Sequence, residues 1–466
     1  MTASIIIPAH NGLALTRRCV ESIRRHTPPL EYEIIVVDNG SADGTGEWLA
    51  AQPDIRTVSL PVNAGFPAAC NRGLAEARGE ALLLLNNDTV ATPRWLEQLL
   101  ACLNSDGSIG AVGPVTNAAS YYTARPAAYR SLDEMTAFAE RFNRSDPARW
   151  EERLKLVGFC LLFKREAYER VGGLDERFSP GNFEDDDFCL RMRQAGFRCV
   201  LCADTFVHHE GSASFRQDVE SFARLLQANA AKFERKWGFD PNAALAIQEH
   251  LIDWIDDSRP SDGAPFRVLE VGCGCGATLL AVKHRFPGAQ TVGIESNAAA
   301  AAIAATAADA VHAGEFETAD PALLREGFDC ILLGERLPYA SRPGETIRRA
   351  ASCLKPGGAV LAAVPNLAHF AVLRELMRGH WRFRADASPI RFYTLDALHR
   401  LFGEAGLSAL AFRRLSLAPV LPRDELWLDG MARLAGETMR EQWTSTHFLV
   451  KARAAALPSP PAWGGS

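Results

Sequence analysis

The chain has 466 residues, with 50 Lys+Arg against 56 Asp+Glu and a formal net charge of -6. That length exceeds what one hydrophobic core usually fills, so two domains of roughly 200 residues each are expected. The mixed, slightly acidic balance excludes the basic field of a nucleic-acid binder. Met1 leads straight into Ile5-Ile6-Ile7, with no basic leader, no small-residue cleavage site and no apolar stretch long enough to cross a bilayer, so the chain reads as cytoplasmic. Its 11 cysteines are expected to be reduced core residues, and Cys199 and Cys202 form an isolated CxxC without the second pair a zinc site needs.

From the start, short apolar runs alternate with helix-like stretches: strand 4–8, helix 15–25, strand 33–37, a helix near 46–52 and strand 57–60. Runs 81–85 and 157–163 extend the series, and an amphipathic stretch at 219–237 closes it. This alternation marks βαβ units and a mostly parallel sheet. Residues 241–264 turn polar and proline-punctuated, with Ser258-Arg259-Pro260-Ser261-Asp262-Gly263 as the boundary. Strands are expected again at 267–271, 291–295, 328–333, 359–364 and 447–452. The fold class is therefore α/β, with two nucleotide-binding α/β domains at 1–240 and 265–455, a linker at 241–264 and a disordered Pro/Gly/Ser-rich tail at 456–466.

Ligands of α/β sheets bind beyond the carboxyl ends of the strands. In the first half four apolar runs stop at polar clusters: Asp38-Asn39-Gly40-Ser41, Asn86-Asn87-Asp88, Glu184-Asp185-Asp186-Asp187 and His208-His209. One acidic residue after a strand is usually a cap or turn residue; four such places together suit transfer of a group from a diphosphate, which needs a divalent cation for the leaving group and a base for the acceptor.

Pro8-Ala9-His10-Asn11, Asp38-Asn39-Gly40-Ser41, Asn63-Ala64-Gly65-Phe66, Asn71-Arg72-Gly73, Asn86-Asn87-Asp88 and Gly181-Asn182-Phe183-Glu184-Asp185-Asp186-Asp187 resemble, in order, the inverting family-2 glycosyltransferases of GT-A fold, over about residues 2–237. The resemblance implies a nucleotide-sugar donor, UDP-, dTDP- or GDP-linked, bound by Pro8, Asn11, Asp38, Asn63, Asn71, Asn87 and Asp88. Asp38 would hold the uracil or thymine nucleoside. Asp88 and His208 would ligate a divalent cation, Mg or Mn, and Asp185 would be the catalytic base in a hexosyl or rhamnosyl transfer. Asp187 is expected to cap the following helix, and Arg235 and Lys236 to lie at a solvated helix end.

In the second half Val268-Leu269-Glu270-Val271 runs into Gly272-Cys273-Gly274-Cys275-Gly276 and a helix, the context of a glycine-rich nucleotide site. Glu295 ends the next strand, where an acid takes ribose hydroxyls. The loop alone fits both NAD and S-adenosylmethionine. With Leu354-Lys355-Pro356-Gly357-Gly358, Pro365-Asn366, Gly379-His380-Trp381 and Ile390-Arg391-Phe392-Tyr393-Thr394, this half resembles the class I S-adenosylmethionine-dependent methyltransferases. That implies cofactor contacts from Glu270, Gly272, Gly274, Gly276, Glu295 and Glu315. Close relatives often carry an acid-histidine pair where this chain has Pro338-Tyr339, and a histidine where Pro389 stands, which leaves His369 as the candidate methyl-transfer base.

The expected function is bifunctional: inverting sugar transfer to a glycan or lipid-linked glycan acceptor in polysaccharide biosynthesis, and methylation of a sugar hydroxyl. A lipid-linked acceptor would bring peripheral membrane contact. The alternatives are a glycosyltransferase with a catalytically silent methyltransferase-like binding module, and one fused to an NAD-dependent sugar oxidoreductase.

Overall fold

The computed structural model of the protein describes residues 2–27, 32–211, 219–255, 265–325, 327–380, 391–417 and 419–454. Residues 258–263, Trp381, Pro389, Ile390 and the tail 456–466 lie outside the described residues. The chain divides into two units, Met1–Leu245 and Ala246–Ser466. The stretch 241–264 carries two short helices, Pro241–Ala244 in the first unit and Glu249–Ile252 in the second. Among the described residues, no helix is long and apolar enough to cross a membrane.

The strands of the first unit are β1 (Ala3–Ala9), β2 (Tyr32–Asn39), β3 (Ile55–Leu60), β4 (Ala81–Leu85), β5 (Thr89–Val90), β6 (Ile109–Val115), β7 (Trp150–Arg153), β8 (Cys160–Lys164), β9 (Arg198–Phe206) and β10 (His208–His209). Eight of them form one sheet in the order β3-β2-β1-β4-β8-β6-β9-β7, and β5 and β10 form a separate antiparallel ribbon. The sheet is mixed: β8 runs antiparallel to both β4 and β6, and β7 antiparallel to β9. The expected run 157–163 is therefore a reversed strand that begins only at Cys160.

Successive side chains on a strand face opposite ways, and β1 shows why its apolar run is continuous. Ile5 and Ile7 join the core beneath the helices Leu13–His26 and Trp95–Asn104, while Ile6 joins the core on the other face with Leu74 and Phe188. All three isoleucines are fully buried, each worth about 1.5–3 kcal/mol of transfer free energy. Gly73 allows the helix Phe66–Glu76 to approach so closely that a Cβ there would collide with the Ile6 side chain.

The strands of the second unit are β11 (Arg267–Val271), β12 (Gln290–Glu295), β13 (Ala310–Ala313), β14 (Phe328–Gly334), β15 (Leu354–Pro365), β16 (Leu407–Leu415) and β17 (His447–Ala454). They form a seven-stranded sheet in the order β13-β12-β11-β14-β15-β17-β16. β17 is antiparallel to both of its neighbours. The parallel dinucleotide order 3-2-1-4-5-6 has no such inserted strand, so this topology departs from an NAD domain. The eleven cysteines are free and buried, as expected of core residues.

Candidate active sites

In the first unit Pro8, Asn11, Asp38 and Asn63 gather where β1, β2 and β3 end. Pro8 pairs with Val37 beyond Ile6, where the β4 ladder stops, a place that tolerates a residue lacking an N–H. Asn11 adopts the left-handed region at φ 57. Its N–H donates to Ser41 Oγ at 2.9 Å, and its Oδ1 accepts from the Ala42 N–H at 2.9 Å. Asp38 accepts from the Ser41 N–H at 3.0 Å. Asn63 Oδ1 accepts from the Gly65 N–H at 2.9 Å and from Asn39 Nδ2 at 3.0 Å. Asn71 stands apart from this group: its amide donates to the Leu174 carbonyl at 2.8 Å and to Glu176 Oε1 at 2.9 Å, and accepts from the Leu174 N–H at 2.8 Å. It clamps the segment 174–176.

Asn87 Nδ2 donates to Thr16 Oγ1 at 3.0 Å, and Asp88 follows it into the β5–β10 ribbon. The histidine beside Asp88 is His209, with Nε2 at 3.2 Å from Asp88 Oδ1. His208, expected as the metal ligand, turns the other way to Tyr129 Oη at 2.6 Å and Glu210 at 3.5 Å. Alternation along β10 decides between the neighbours, and a one-residue choice on a strand reverses the face. Asn117 fixes His209 from both sides, accepting from its N–H and donating to its carbonyl, each at 2.9 Å.

His209 Nδ1 lies 2.7 Å from the Ala118 carbonyl, which only accepts, so Nδ1 carries a proton and Nε2 is the ring atom that faces Asp88. Burial would lower this imidazole's proton affinity, yet the Asp88 carboxylate and the Ala118 carbonyl outweigh it and the net shift is upward. A cation that displaced the proton from Nε2 would find two acceptors, Nε2 and Asp88 Oδ1, converging on one point. Among the described residues no group of three or more His, Cys, Asp or Glu is arranged to hold a metal, so a cation here would take its remaining ligands from elsewhere.

Asp185 opens the helix Glu184–Gln194. Its Oδ2 accepts from the Gly158 N–H at 2.8 Å and its Oδ1 from the Asp186 N–H at 3.0 Å. Burial and then the charge of Asp186 push its carboxyl up to about 6, against the pull of Lys155. Glu184, with Oε2 buried and unpartnered, is raised further by burial and by Asp185. The residue after Gly158 joins Asp185 to the Asp88–His209 pair: Phe159 stacks on His209 at 5.1 Å between ring centroids, and its carbonyl accepts from the Asn86 N–H at 2.8 Å.

The turn before Asp185 holds two consecutive non-glycine residues in the left-handed region, Asn182 at φ 77 and Phe183 at φ 74, which need outside support. Asn229, fully buried in the helix Val219–Trp237, supplies it by donating to the carbonyls of Phe178 at 2.6 Å and Gly181 at 2.9 Å. Asp187 is no solvated cap. It is fully buried, accepting from Arg191 Nε at 2.8 Å and Trp237 Nε1 at 3.0 Å and pairing with Lys236. Lys236 also reaches Asp175 at 2.7 Å, so it is a half-buried anchor, while Arg235 is exposed.

In the second unit Gly272, Gly274 and Gly276 all take positive φ, at 75, 53 and 85, conformations glycine adopts without strain. The helix Ala277–Arg285 starts directly after them. Glu295 closes the loop, accepting from the N–H of Gly274 at 2.9 Å and of Asn297 at 2.8 Å. Glu270 is 2% exposed with Oε2 buried and unpartnered, and burial pushes its carboxyl up to about 8. Glu315 is exposed and pairs with Arg336 at 3.3 Å. His369 is 7% exposed, with its ring centroid 4.6 Å from that of Phe370. An acid does follow β14: it is Glu335, upstream of Pro338-Tyr339.

Residues 4–172 match the family model Glycosyl transferase family 2, and residues 243–411 match the model Methyltransferase domain. The chain is 31% identical over 293 residues to the O-antigen biosynthesis protein RfbC of Myxococcus xanthus, covering 58% of this chain and 22% of that one. It is 29% identical over 254 residues to the N-acetylglucosaminyl-diphospho-decaprenol L-rhamnosyltransferase of Mycobacterium tuberculosis, covering 47% and 82%. Its second half is 30% identical over 224 residues to the ubiquinone biosynthesis O-methyltransferase of Nitrobacter winogradskyi, covering 42% and 79%. The chain spans only 30% and 22% of the length of two of the curated relatives it matches. With these matches and the two sheet topologies, the chain is a family-2 glycosyltransferase domain fused to a methyltransferase domain.

Proposed function

We propose that the first domain transfers a sugar, hexosyl or rhamnosyl, from a nucleotide-sugar donor to a glycan or lipid-linked glycan acceptor with inversion, and that the second methylates a hydroxyl. One arrangement carries the first reading: Asp185, a carboxyl near 6 held by Gly158, adjoins the Asp88–His209 pair through Phe159. Asp38, Asn11 and Asn63 would seat the nucleoside. Asp185 would take the acceptor's proton as its oxygen attacks the anomeric carbon in line, a task that favours a base poised near neutrality. A divalent cation at Asp88 and His209 would neutralise the leaving diphosphate. The mycobacterial relative is named for a diphospho-decaprenol acceptor, which supports a lipid-linked acceptor for this chain.

For the second domain the donor read from the glycine loop is S-adenosylmethionine, which supplies an electrophilic methyl group. Glu270, whose Oε2 has no hydrogen-bond partner, and the glycine loop fit its cationic amino-acid end, Glu295 its ribose and Glu315 its adenine. The topology and the O-methyltransferase relative favour this over NAD.

The test is calorimetric titration of the full chain with UDP-, dTDP- and GDP-sugars, with and without Mn2+, and with S-adenosylmethionine, S-adenosylhomocysteine and NAD. Metal-dependent binding of one nucleotide sugar and micromolar binding of the two methionine-derived ligands are expected. Metal-independent donor binding overturns the cation's role, and no binding of either methionine-derived ligand makes the second domain a silent module.

A further inference from the structure

At the carboxyl edge of the first sheet, the chain leaving β6 forms a loop closed on Thr116. The Arg125 N–H donates to the Thr116 carbonyl at 2.7 Å, and the Thr116 N–H to the Thr123 carbonyl at 3.2 Å. The loop begins with Asn117 and Ala118, the residues that fix His209. Tyr121 and Tyr122 follow, two consecutive bulky residues in the left-handed region at φ 53 and 56, a conformation that needs bracing. Two bonds supply it: the Tyr121 carbonyl accepts from Thr123 Oγ1 at 3.2 Å and the Tyr122 carbonyl from Arg125 Nη1 at 2.9 Å. Arg125 is in turn paired with Glu151 of β7 at 3.7 Å. The braced turn sets the two tyrosine rings together, with centroids 5.8 Å apart and planes tilted by 59°.

Lys155 ties these rings to the stretch that holds Asp185. Its Nζ lies 4.5 Å from the Tyr121 ring centroid and 2.7 Å from Asp186 Oδ2, so one ammonium joins the aromatic pair to the residue after Asp185. The ring quadrupole favours a cation in that place. The same charge pulls the Asp185 carboxyl down against burial. Tyr122, in contrast, is 39% exposed, an aromatic surface open at an edge where the strand ends otherwise present polar groups. A pyranose matches that combination. Its hydroxyls suit carboxylates and amides, while its axial C–H bonds, slightly positive and apolar, suit the negative face of an aromatic ring.

We propose that Tyr121 and Tyr122 form the wall of the acceptor site, with the Tyr122 ring lying against the C–H face of the acceptor pyranose whose hydroxyl meets Asp185. The inference rests on the reading of this domain as a glycosyltransferase and deepens it. Such a wall favours a sugar ring with its axial C–H bonds gathered on one face, a β-gluco-configured pyranose, over an open-chain or peptide hydroxyl. Lys155 holds the Tyr121 ring, and Arg125 holds the backbone turn that presents Tyr122. Because Asn117 and Ala118 belong to the same loop, the acceptor wall and the support of His209 are built on one piece of chain.

The test uses the full chain as wild type, Tyr122→Phe and Tyr122→Ala, with the donor found by titration and a polyprenyl-diphosphate-linked N-acetylglucosamine acceptor. In Tyr122→Ala the acceptor KM is expected to rise at least about tenfold, while kcat and nucleotide-sugar affinity stay within about threefold. Tyr122→Phe, which keeps the ring, is expected to remain within about threefold of wild type in each of these. Saturation-transfer NMR with methyl N-acetyl-β-D-glucosaminide reads the contact without turnover. The sugar C–H protons of one face should receive saturation from wild type and Tyr122→Phe and lose it in Tyr122→Ala. An unchanged acceptor KM in Tyr122→Ala, an equal rise in both variants, or saturation indifferent to Tyr122→Ala overturns the proposal. A wild type that binds no nucleotide sugar overturns the glycosyltransferase reading instead, and the saturation pattern still judges the aromatic wall.

Discussion

Replacing Asp185 by Asn keeps the side chain's shape and an oxygen able to accept from the Gly158 N–H, now 2.8 Å away, but removes its capacity to take a proton. With the wild-type carboxyl at about 6, about nine-tenths of the molecules hold a competent base at pH 7 and about one-tenth at pH 5, by the ordinary titration relation. The wild-type rate is therefore expected to climb through pH 6 and to level off above it. A positioned general base contributes on the order of 100- to 10,000-fold, so kcat in Asp185→Asn should fall by at least two orders of magnitude, and its residual rate should lose the inflection near 6. Donor affinity should remain within a few-fold, because the lost group acts on the acceptor. The assay is nucleoside diphosphate release with the donor found by titration and a polyprenyl-diphosphate-linked N-acetylglucosamine acceptor, between pH 5 and 8. A fall below tenfold, or the same inflection in the variant, refutes the assignment.

His209→Ala should weaken Mn2+-dependent donor binding at least tenfold while His208→Ala leaves it nearly unchanged, read by calorimetry at fixed metal; the reverse pattern would restore His208 as the ligand. Asp187→Ala strips a fully buried carboxylate from Arg191, Lys236 and Trp237 and should destabilise the first domain by about 3–5 kcal/mol in urea unfolding. Glu270, raised to about 8 by burial, favours the folded state while neutral, so its contribution is fully present below its unfolded value near 4.5 and is lost as pH rises through 8. Glu270→Gln should then melt higher than wild type at pH 8, by on the order of a few kcal/mol, and close to it at pH 4; equal shifts at both pH values would contradict the buried neutral acid.

The parts of the fold legible in the sequence were those where local pattern and tertiary placement agree. β4 is an unbroken apolar run because both faces are covered, and β1 and β2 hold such runs at Ile5-Ile6-Ile7 and Ile34-Ile35-Val36-Val37. β6 escaped notice because Gly110, Gly113 and Pro114 interrupt its pattern, although Gly110 is there to admit Phe197, whose Cβ would lie 2.6 Å from an added Cβ. The direction of β8 was invisible, since an apolar run has no polarity along the chain. In the site, residues at strand ends were readable, whereas those fixed by distant partners were not. His208 and His209 differ by one position and only the ribbon's register separates them. Asp187 reads as a cap until Lys236 and Trp237 fold against it.

The Asn229 staple bears on how the first domain is put together. The match to the glycosyltransferase family ends at residue 172, ahead of the turn that Asn229 braces, the proposed base Asp185 and His209. The matched segment holds Asn11, Asp38 and Asn63, proposed to seat the nucleoside, whereas the proposed base stands on a later stretch that one closing helix secures through Asn229, Lys236 and Trp237. If acceptor preference resides in that later stretch, a chimera exchanged at about residue 173 should carry it over while keeping the donor of the first segment, whereas a preference set by Tyr121 and Tyr122 would stay with that segment.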